Sequence, residues 1–313
     1  DSKMDFNMNR KITIDDEEAQ SSFSLMTYNI LADFFVRDGE YTYCPPDLRY
    51  MDSRHHRIVL EIQQTDADIV CLQEVSKTHF EEGLREDLSK CGYEGTHMSY
   101  PLKGHHEDGL AVFYRRANLR LLYVKPCPTP DTVDNYLQEL DCNEEDRQSI
   151  QRLVEKCQGC LIVRFMHLPS GKSFTVGNIH VKWTSLSLPG LSCLEAACAV
   201  HALREVAGPD EGFILTGDFN STPDFSTYSL MTSGKFLGSR DLWAVKPRAD
   251  LYPWNGDENE HPNTTVSVSL DALDQEHQDI EADKKLVNLL LHIIHTNTPL
   301  KSAYKQVMGK EPE

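Results

Sequence analysis

The stretch "FILTGDFNSTPD", Phe213 to Asp224, decides how this chain is to be read. It opens on an apolar run, Phe213-Ile214-Leu215, of the kind that forms a buried strand. The run breaks at Gly217. Asp218 and Asn220 follow, two residues apart, and then a turn-forming Ser221-Thr222-Pro223. Asp and Asn are depleted inside strands. A carboxylate and a carboxamide at the end of an apolar strand therefore stand where strand ends open into a crevice, the common place for a site in an α/β fold.

The same device recurs along the chain. "LMTYNILA" carries Asn29, "ADIVCLQEV" ends in Glu74, and "FTVGNIHV" contains His180. Each has an ordinary explanation when taken alone. An Asn marks a bulge, a Gln-Glu pair at a strand end is solvated, a His is satisfied in place, and Gly-Asp-x-Asn is a turn closed by an Asx hydrogen bond. Four such residues, each at a strand signal, point to one shared polar site. A buried carboxylate left unpaired costs several kcal/mol, so these need a metal or hydrogen-bond donors. Carboxylate and carboxamide oxygens suit Mg²⁺ or Mn²⁺, and Mg²⁺ typically takes one or two carboxylates plus substrate phosphate. His180 suits a phosphate oxygen or developing charge, Asp218 a proton from water, and Asn220 the orientation of that water. This is the equipment of metal-assisted phosphoester hydrolysis.

The surrounding pattern alternates strands and helices. Strands are expected over 24–32, 68–75, 109–115, 119–125, 161–166, 173–181 and 212–216. Helices are expected over 53–65 with Ser53 as N-cap, over 79–91 closed by Gly92, over 191–207 closed by Gly208-Pro209, and around 225–232. "HLPSGK", 167–172, reads as the turn of a hairpin. Residues 246–283, rich in Pro, Asn, Gly and acid, read as a mobile loop, and helices are expected near 284–295 and 300–308. No repeat recurs at a fixed period.

Length and composition agree with a soluble α/β domain. The 313 residues suffice for a sizeable core, and no apolar run approaches the roughly 20 residues of a membrane span. The first 20 residues lack the apolar stretch of a signal peptide. The net charge of −18 is concentrated: residues 1–20 hold −3, 131–158 hold −5 and 255–283 hold −9. The rest is near neutral, which disfavours non-specific duplex binding through many phosphate contacts. A short, local grip on an anionic substrate remains open. Nine Cys, an odd number in a large chain, argue against a disulfide framework and for a reducing, cytoplasmic setting, with the nucleus as second choice. Cys157-x-x-Cys160 has no second pair to complete a zinc site and reads as coincidence. The sequons at Asn220 and Asn263 are without consequence in that setting.

The ordered set "TYNILA", "DIVCLQEV", "DGLAVFYR", "GNIHVKW" and "GDFNSTP" resembles the endonuclease/exonuclease/phosphatase superfamily. "YTYCPPDLRYMDSRHHRIVLEI", 41–62, is similar to its branch of deadenylases, nocturnin, Angel proteins and 2′,5′-phosphodiesterase. The resemblance runs from about Phe23 onward. It implies a four-layer α/β sandwich: an acidic tail over 1–22, then a catalytic domain over 23–313 with acidic insertions at about 131–158 and 246–283. It implies Mg²⁺ held mainly by Glu74 with Asn29 nearby, water activated by Asp218 and Asn220, and His180 on the scissile phosphate. It also implies substrate contacts from Lys182 and Trp183, for which core packing of Trp183 is the competing reading. The expected substrates are poly(A) or other single-stranded RNA, or 2′,5′-oligoadenylate, with NADPH 2′-dephosphorylation as the alternative. Membranes and duplex DNA are not expected partners. Two further family motifs, an Asp in a "DYIF"-like strand and a His in a "SDH"-like loop, are not in this chain. "SAYKQVMGKEP" is similar to the segment that precedes them. The chain is thus expected to stop roughly a quarter of a domain short, as a piece of a longer enzyme rather than an idle, truncated binding form.

Overall fold

The computed structural model describes residues 22–36, 39, 41–101, 107–139, 143–155, 157–183, 188–223, 225–233, 282–283, 285 and 300–309. In chain order these form β1 (Leu25–Asn29), α1 (Met51–Thr65), β2 (Ile69–Gln73), α2 (Lys77–His79), a π-helical turn (Phe80–Leu84) and α3 (Arg85–Lys90). Then come β3 (Tyr93–Pro101), β4 (Glu107–Arg115), β5 (Leu119–Pro128), α4 (Thr129–Glu139), α5 (Glu144–Val154), β6 (Gly159–His167) and β7 (Ser173–His180). The last elements are α6 (Pro189–Val206), β8 (Gly212–Asp218), α7 (Ser226–Ser233) and α8 (Ala303–Met308). No helix among the described residues is long and apolar enough to cross a membrane.

The strands make two four-stranded sheets, ordered β1-β2-β4-β3 and β5-β6-β7-β8. Each has one parallel pair, β1/β2 and β7/β8, and two antiparallel pairs. Period-two alternation explains why the sheets stack. In β2, Ile69 and Cys71 face inward against Leu161, Val163 and Phe165 of the second sheet. Val70 and Leu72 face outward against Ile58 and Ile62 of α1 and Leu84 of the π turn. On the far side, Ile162 and Ile179 pack against Ala196, Ala199 and Leu203 of α6. The result is helix, sheet, sheet, helix: the four layers expected from the sequence.

One polar link crosses the apolar middle. Asn178 of β7 donates to the carbonyls of Leu72 and Ala111 in the opposite sheet, at 2.9 and 3.1 Å, and accepts from Gln73 Nε2 at 2.8 Å. Both side chains are buried, and each is satisfied by the other sheet. A shift of either sheet would strand these amides, so the link sets the relative position of β2 and β7, the two strands that deliver Glu74 and His180.

Several expectations need correction. Helix α1 begins at Met51, not Ser53, and has no side-chain cap at its own N-cap residue. Asp33, from the preceding loop, accepts the Met51 N–H instead, at 2.7 Å. Strand β3 was not foreseen: its outward apolar positions are broken by Gly95, over which the Phe113 ring lies, so the burial pattern shows only after pairing with β4. The acidic segment 131–158, expected to be partly helical, does form helices. Helices α4 and α5 bury Val133, Leu137, Ile150 and Leu153 against Leu191 and Leu194 of α6. The expectation of a loop over 246–283 falls outside the described residues except at Ala282 and Asp283, which are both buried. The helix expected at 284–295 lies outside them except for Lys285, and so does the tail before Ser22.

Asp283 has a defined job. Helix α6 starts at Pro189 with no cap from its own N-cap residue, Leu188. Asp283 accepts from the free N–H groups of Gly190 and Leu191, at 3.1 and 2.7 Å, across more than 90 residues of sequence. Asp283→Ala should cost about 1–2 kcal/mol, read as a lower urea midpoint with unchanged slope, whereas substitution of the neighbouring Lys285 should cost less.

Candidate active site

Four strand ends converge at one end of the sandwich. Asn29 ends β1, Glu74 follows β2, His180 ends β7, and Asp218 ends β8. The pairing registers align them: Asn29 lies opposite Gln73, and His180 opposite Asp218. The backbone turns sharply here. Glu74 has φ +60 and Asn220 has φ +44, so both side chains are aimed by left-handed backbone where the strands stop. Gly217 has φ +137, and a Cβ there would collide with the Ile179 carbonyl of β7. Only glycine lets β8 lie this close and still turn Asp218 inward.

The centre of the site is one carboxamide between two carboxylates. Asn29 Nδ2 donates to Glu74 Oε1 at 2.8 Å and to Asp218 Oδ2 at 3.0 Å. The Leu31 N–H donates to Asn29 Oδ1 at 2.9 Å, which fixes the amide so that its nitrogen faces the acids. Glu74 Oε2 accepts from the Ala32 N–H at 2.9 Å, and Asp218 Oδ1 from the Asn220 N–H at 2.8 Å. His180 Nε2 stands 4.0 Å from both Glu74 Oε1 and Asp218 Oδ2. Asn220 Nδ2 donates to the Val181 carbonyl at 2.7 Å and lies 3.2 Å from His180 Nε2. Five of the seven residues named from the sequence are thereby brought together.

The donor set fits Mg²⁺ or Mn²⁺. It offers two hard carboxylates and an imidazole, no thiolate, and a clustering of negative charge that only a few donors relieve. Among the described residues no group of three or more His, Cys, Asp or Glu side chains is arranged to enclose a metal. A site poor in protein ligands is what Mg²⁺ tolerates, because it retains water and substrate oxygens. Asn29 turns its nitrogen to the site, so in this arrangement it steadies the carboxylates, and Glu74 is the residue suited to hold the ion.

Lys182 and Trp183 leave β7 directly after this centre. Trp183 is 62% exposed, which rules out core packing. The Lys182 N–H donates to Glu195 Oε2 at 2.9 Å. Cys157 and Cys160 are buried, and none of the eight described cysteines forms a disulfide.

The sequence reading overlooked a second acidic row behind His180. Asp108, buried at the start of β4, accepts from Gln158 Nε2 at 2.7 Å and from the Gly109 N–H at 2.6 Å. Glu195, buried in α6, accepts from the backbone of Gln158 at 2.8 Å and of Lys182. Burial pushes both carboxyls above their ordinary range, and the nearby His180 opposes the shift. His180 Nδ1 and Gln158 Oε1 are buried with no hydrogen-bond partner among the described residues. The signal was present for Glu195, a lone acid inside the apolar run "CLEAACAV". Asp108 begins an apolar strand much as Glu74 ends one.

Residues 26–163 match the model of the Endonuclease/Exonuclease/phosphatase family. Mouse 2′,5′-phosphodiesterase 12 is 29% identical over 249 residues, 75% of this chain and 39% of that protein. The CCR4-Not complex 3′-5′-exoribonuclease subunit Ccr4 of Phaeosphaeria nodorum is 26% identical over 279 residues, 74% of this chain and 46% of that protein. The chain thus spans less than half the length of these relatives. The crystal structure of ANGEL2, a 2′,3′-cyclic phosphatase, in complex with adenosine-2′,3′-vanadate, superposes with a TM-score of 0.56 at 24% identity, over 68% of this chain and 57% of that one. That likeness shows a shared fold. The relatives' names describe hydrolysis of phosphoesters.

Gly217→Ala should destabilise the protein by about 2 kcal/mol or more, since both its φ and the Ile179 carbonyl oppose a side chain. Chemical denaturation checks this, with Gly212→Ala as control, because a Cβ at Gly212 meets nothing within 4 Å.

Proposed function

We propose that this domain hydrolyses nucleotide phosphodiesters with the help of Mg²⁺ and acts on the 3′ ends of single-stranded RNA such as poly(A), or on 2′,5′-oligoadenylate. The observation that carries the reading is the convergence of Glu74, Asn29 and Asp218, with His180 Nε2 4.0 Å from each carboxylate. Two acids this close repel one another unless a cation or a donor lies between them. A Mg²⁺ ion at Glu74 would polarise a phosphoryl oxygen and offset the charge that builds there.

The chain's own residues supply the rest. Asp218 Oδ2 is placed to accept a proton from an attacking water. Asn220, tied to Val181 and beside His180, orients that water and limits its approach to one side. His180 donates to a non-bridging phosphate oxygen from Nε2. Lys182 and exposed Trp183 stand on the strand exit beside His180, where a cation meets phosphate and a flat ring meets a base. The names of the phosphodiesterase and exoribonuclease relatives support this substrate class. A cytoplasmic site of action is proposed with it.

The test gives the full chain poly(A), 2′,5′-oligoadenylate or NADPH, with Mg²⁺ or EDTA. Cleavage of an oligonucleotide is expected with Mg²⁺ alone, and Glu74→Ala and Asp218→Asn should each lower it about 10²- to 10⁴-fold. Turnover of NADPH alone would replace the RNA reading with that of a nucleotide 2′-phosphatase. Equal behaviour of the chain and its Glu74→Ala variant on all three would remove the hydrolytic reading.

A further inference from the structure

Helix α1 carries two adjacent residues that reach the exits of the neighbouring strands β1 and β2. Arg54 donates from Nη1 to the Ile30 carbonyl and from Nη2 to the Leu31 carbonyl. It also meets Asp33 Oδ1 at 3.0 Å. It therefore grips the exit of β1, where Leu31 has φ +56 and the Ala32 N–H donates to Glu74. His55, the next residue, reaches the exit of β2. Its Nδ1 lies 2.8 Å from His79 Nε2, at the end of α2, which begins three residues after Glu74. Its Nε2 lies 2.9 Å from Asp87 Oδ2 on α3.

The hydrogen-bond roles follow from the acceptor at the end of the row. Asp87 accepts only, so His55 carries its proton on Nε2 and has a bare Nδ1. His79 must then donate from Nε2, which leaves its own Nδ1 bare; that atom is buried and unpartnered among the described residues. Both rings are neutral in this arrangement. They pack edge to face, with centroids 5.1 Å apart, over Gly83 of the π turn. A Cβ at Gly83 would come within 3.1 Å of His55 and 3.3 Å of His79, so the pair is fitted to its seat.

We propose that α1 is a positioning clamp for the candidate site: Arg54 holds the β1 exit, and a hydrogen bond between neutral His55 and His79 holds the β2 exit, so that acid loosens Glu74 against Asn29. The inference gains functional meaning from the reading above, but its geometry stands without it. A further proton on either ring sets two N–H groups face to face or forces one onto the unpartnered Nδ1. The surrounding charges are mixed. Arg54 on α1 opposes a proton on His79, Asp52 on the same helix favours it, and Asp87 on α3 is already shared by His55 and Lys90. The π turn contributes Phe80 and Gly83, and His97 of β3 stacks on Phe80. Burial, His55 and Arg54 together hold His79 down to about 4 from an ordinary 6.5. The unfolded chain takes up that proton first as pH falls, so the link is complete above about 6.5 and weakens down to about 4.

Amide hydrogen exchange of the full chain tests the clamp without any substrate, after correction for the intrinsic pH dependence of exchange. The reporters are the amides of Ile30, Ala32 and Val75, each hydrogen-bonded across the β1 and β2 exits. Arg54→Ala, His79→Ala and Gly83→Ala should each speed their exchange about tenfold at pH 7 and leave 110–113 of β4 unchanged. The wild type should show the same local loosening between pH 7 and 5. His79→Gln, whose amide can donate to a bare His55 Nδ1 or accept from a protonated one, should exchange like the wild type at pH 7 and lose the pH response. Unchanged reporters in the Ala variants, or faster exchange spread evenly through both sheets, would overturn the clamp. A pH response retained in His79→Gln would overturn the role of the imidazole pair. Turnover of the oligonucleotides is measured in parallel. Its absence in the wild type counts against the hydrolytic reading alone, while the exchange result still decides the clamp.

Discussion

A single side-chain amide carries the site. Asn29 sits between Glu74 and Asp218, and its nitrogen donates to both. The two acids arrive from different sheets, one from behind β2 and the other from the end of β8. Like charges that converge from separate layers would push those layers apart unless something neutral held both. The amide does so without adding charge, so an open demand for a cation remains. Much of the fold serves to keep that amide in place. Leu31 holds its oxygen, Arg54 holds the loop that holds Leu31, and Asp33 of that same loop starts the helix that carries Arg54.

The second constraint is the Asn178–Gln73 link in the middle of the sandwich. Stacked sheets joined by apolar contact alone can slide at modest cost, since burial is non-directional. Hydrogen bonds from Asn178 to the Leu72 and Ala111 carbonyls are directional and buried. They fix how far β7 projects past β2, and hence the 4.0 Å between His180 and Glu74. The apolar core makes the sandwich stable, and this polar pair makes its offset definite.

Polar groups behind the front row tune what the front row can do. Asp108 and Glu195 lie behind His180 and hold backbone N–H groups. Glu195 also ties the start of β6 to the exit of β7, from which Lys182 and Trp183 project. Helix α6 is therefore part of the site's support, and its own start depends on Asp283. A long span of sequence separates the parts of this chain of contacts, and each part is satisfied only by another.

The residues of the front row were legible because they violate local rules. Asn29, Glu74, His180, Asp218 and Asn220 are polar groups set at the ends of apolar strands, where propensity opposes them. Alternation and length led to the strands and helices, because side-chain period and burial are local properties, while the four-layer sandwich was implied by the resemblance. What local pattern cannot hold is the identity of a partner. Ser53 looked like the cap of α1, but Asp33 provides it, from a loop whose path depends on Arg54. Strand β3 was hidden because Gly95 gains its burial from Phe113 of a neighbouring strand. The segment 131–158 read as acidic and partly helical, but which face of α4 and α5 is buried is defined only by α6. The His55–His79 pair carries no signal until tertiary contacts bury it. By itself, then, the sequence determined which groups must meet; their protonation, their orientation and the positions of their supports were decided by tertiary structure, because burial and hydrogen bonding across layers exist only once the layers are packed.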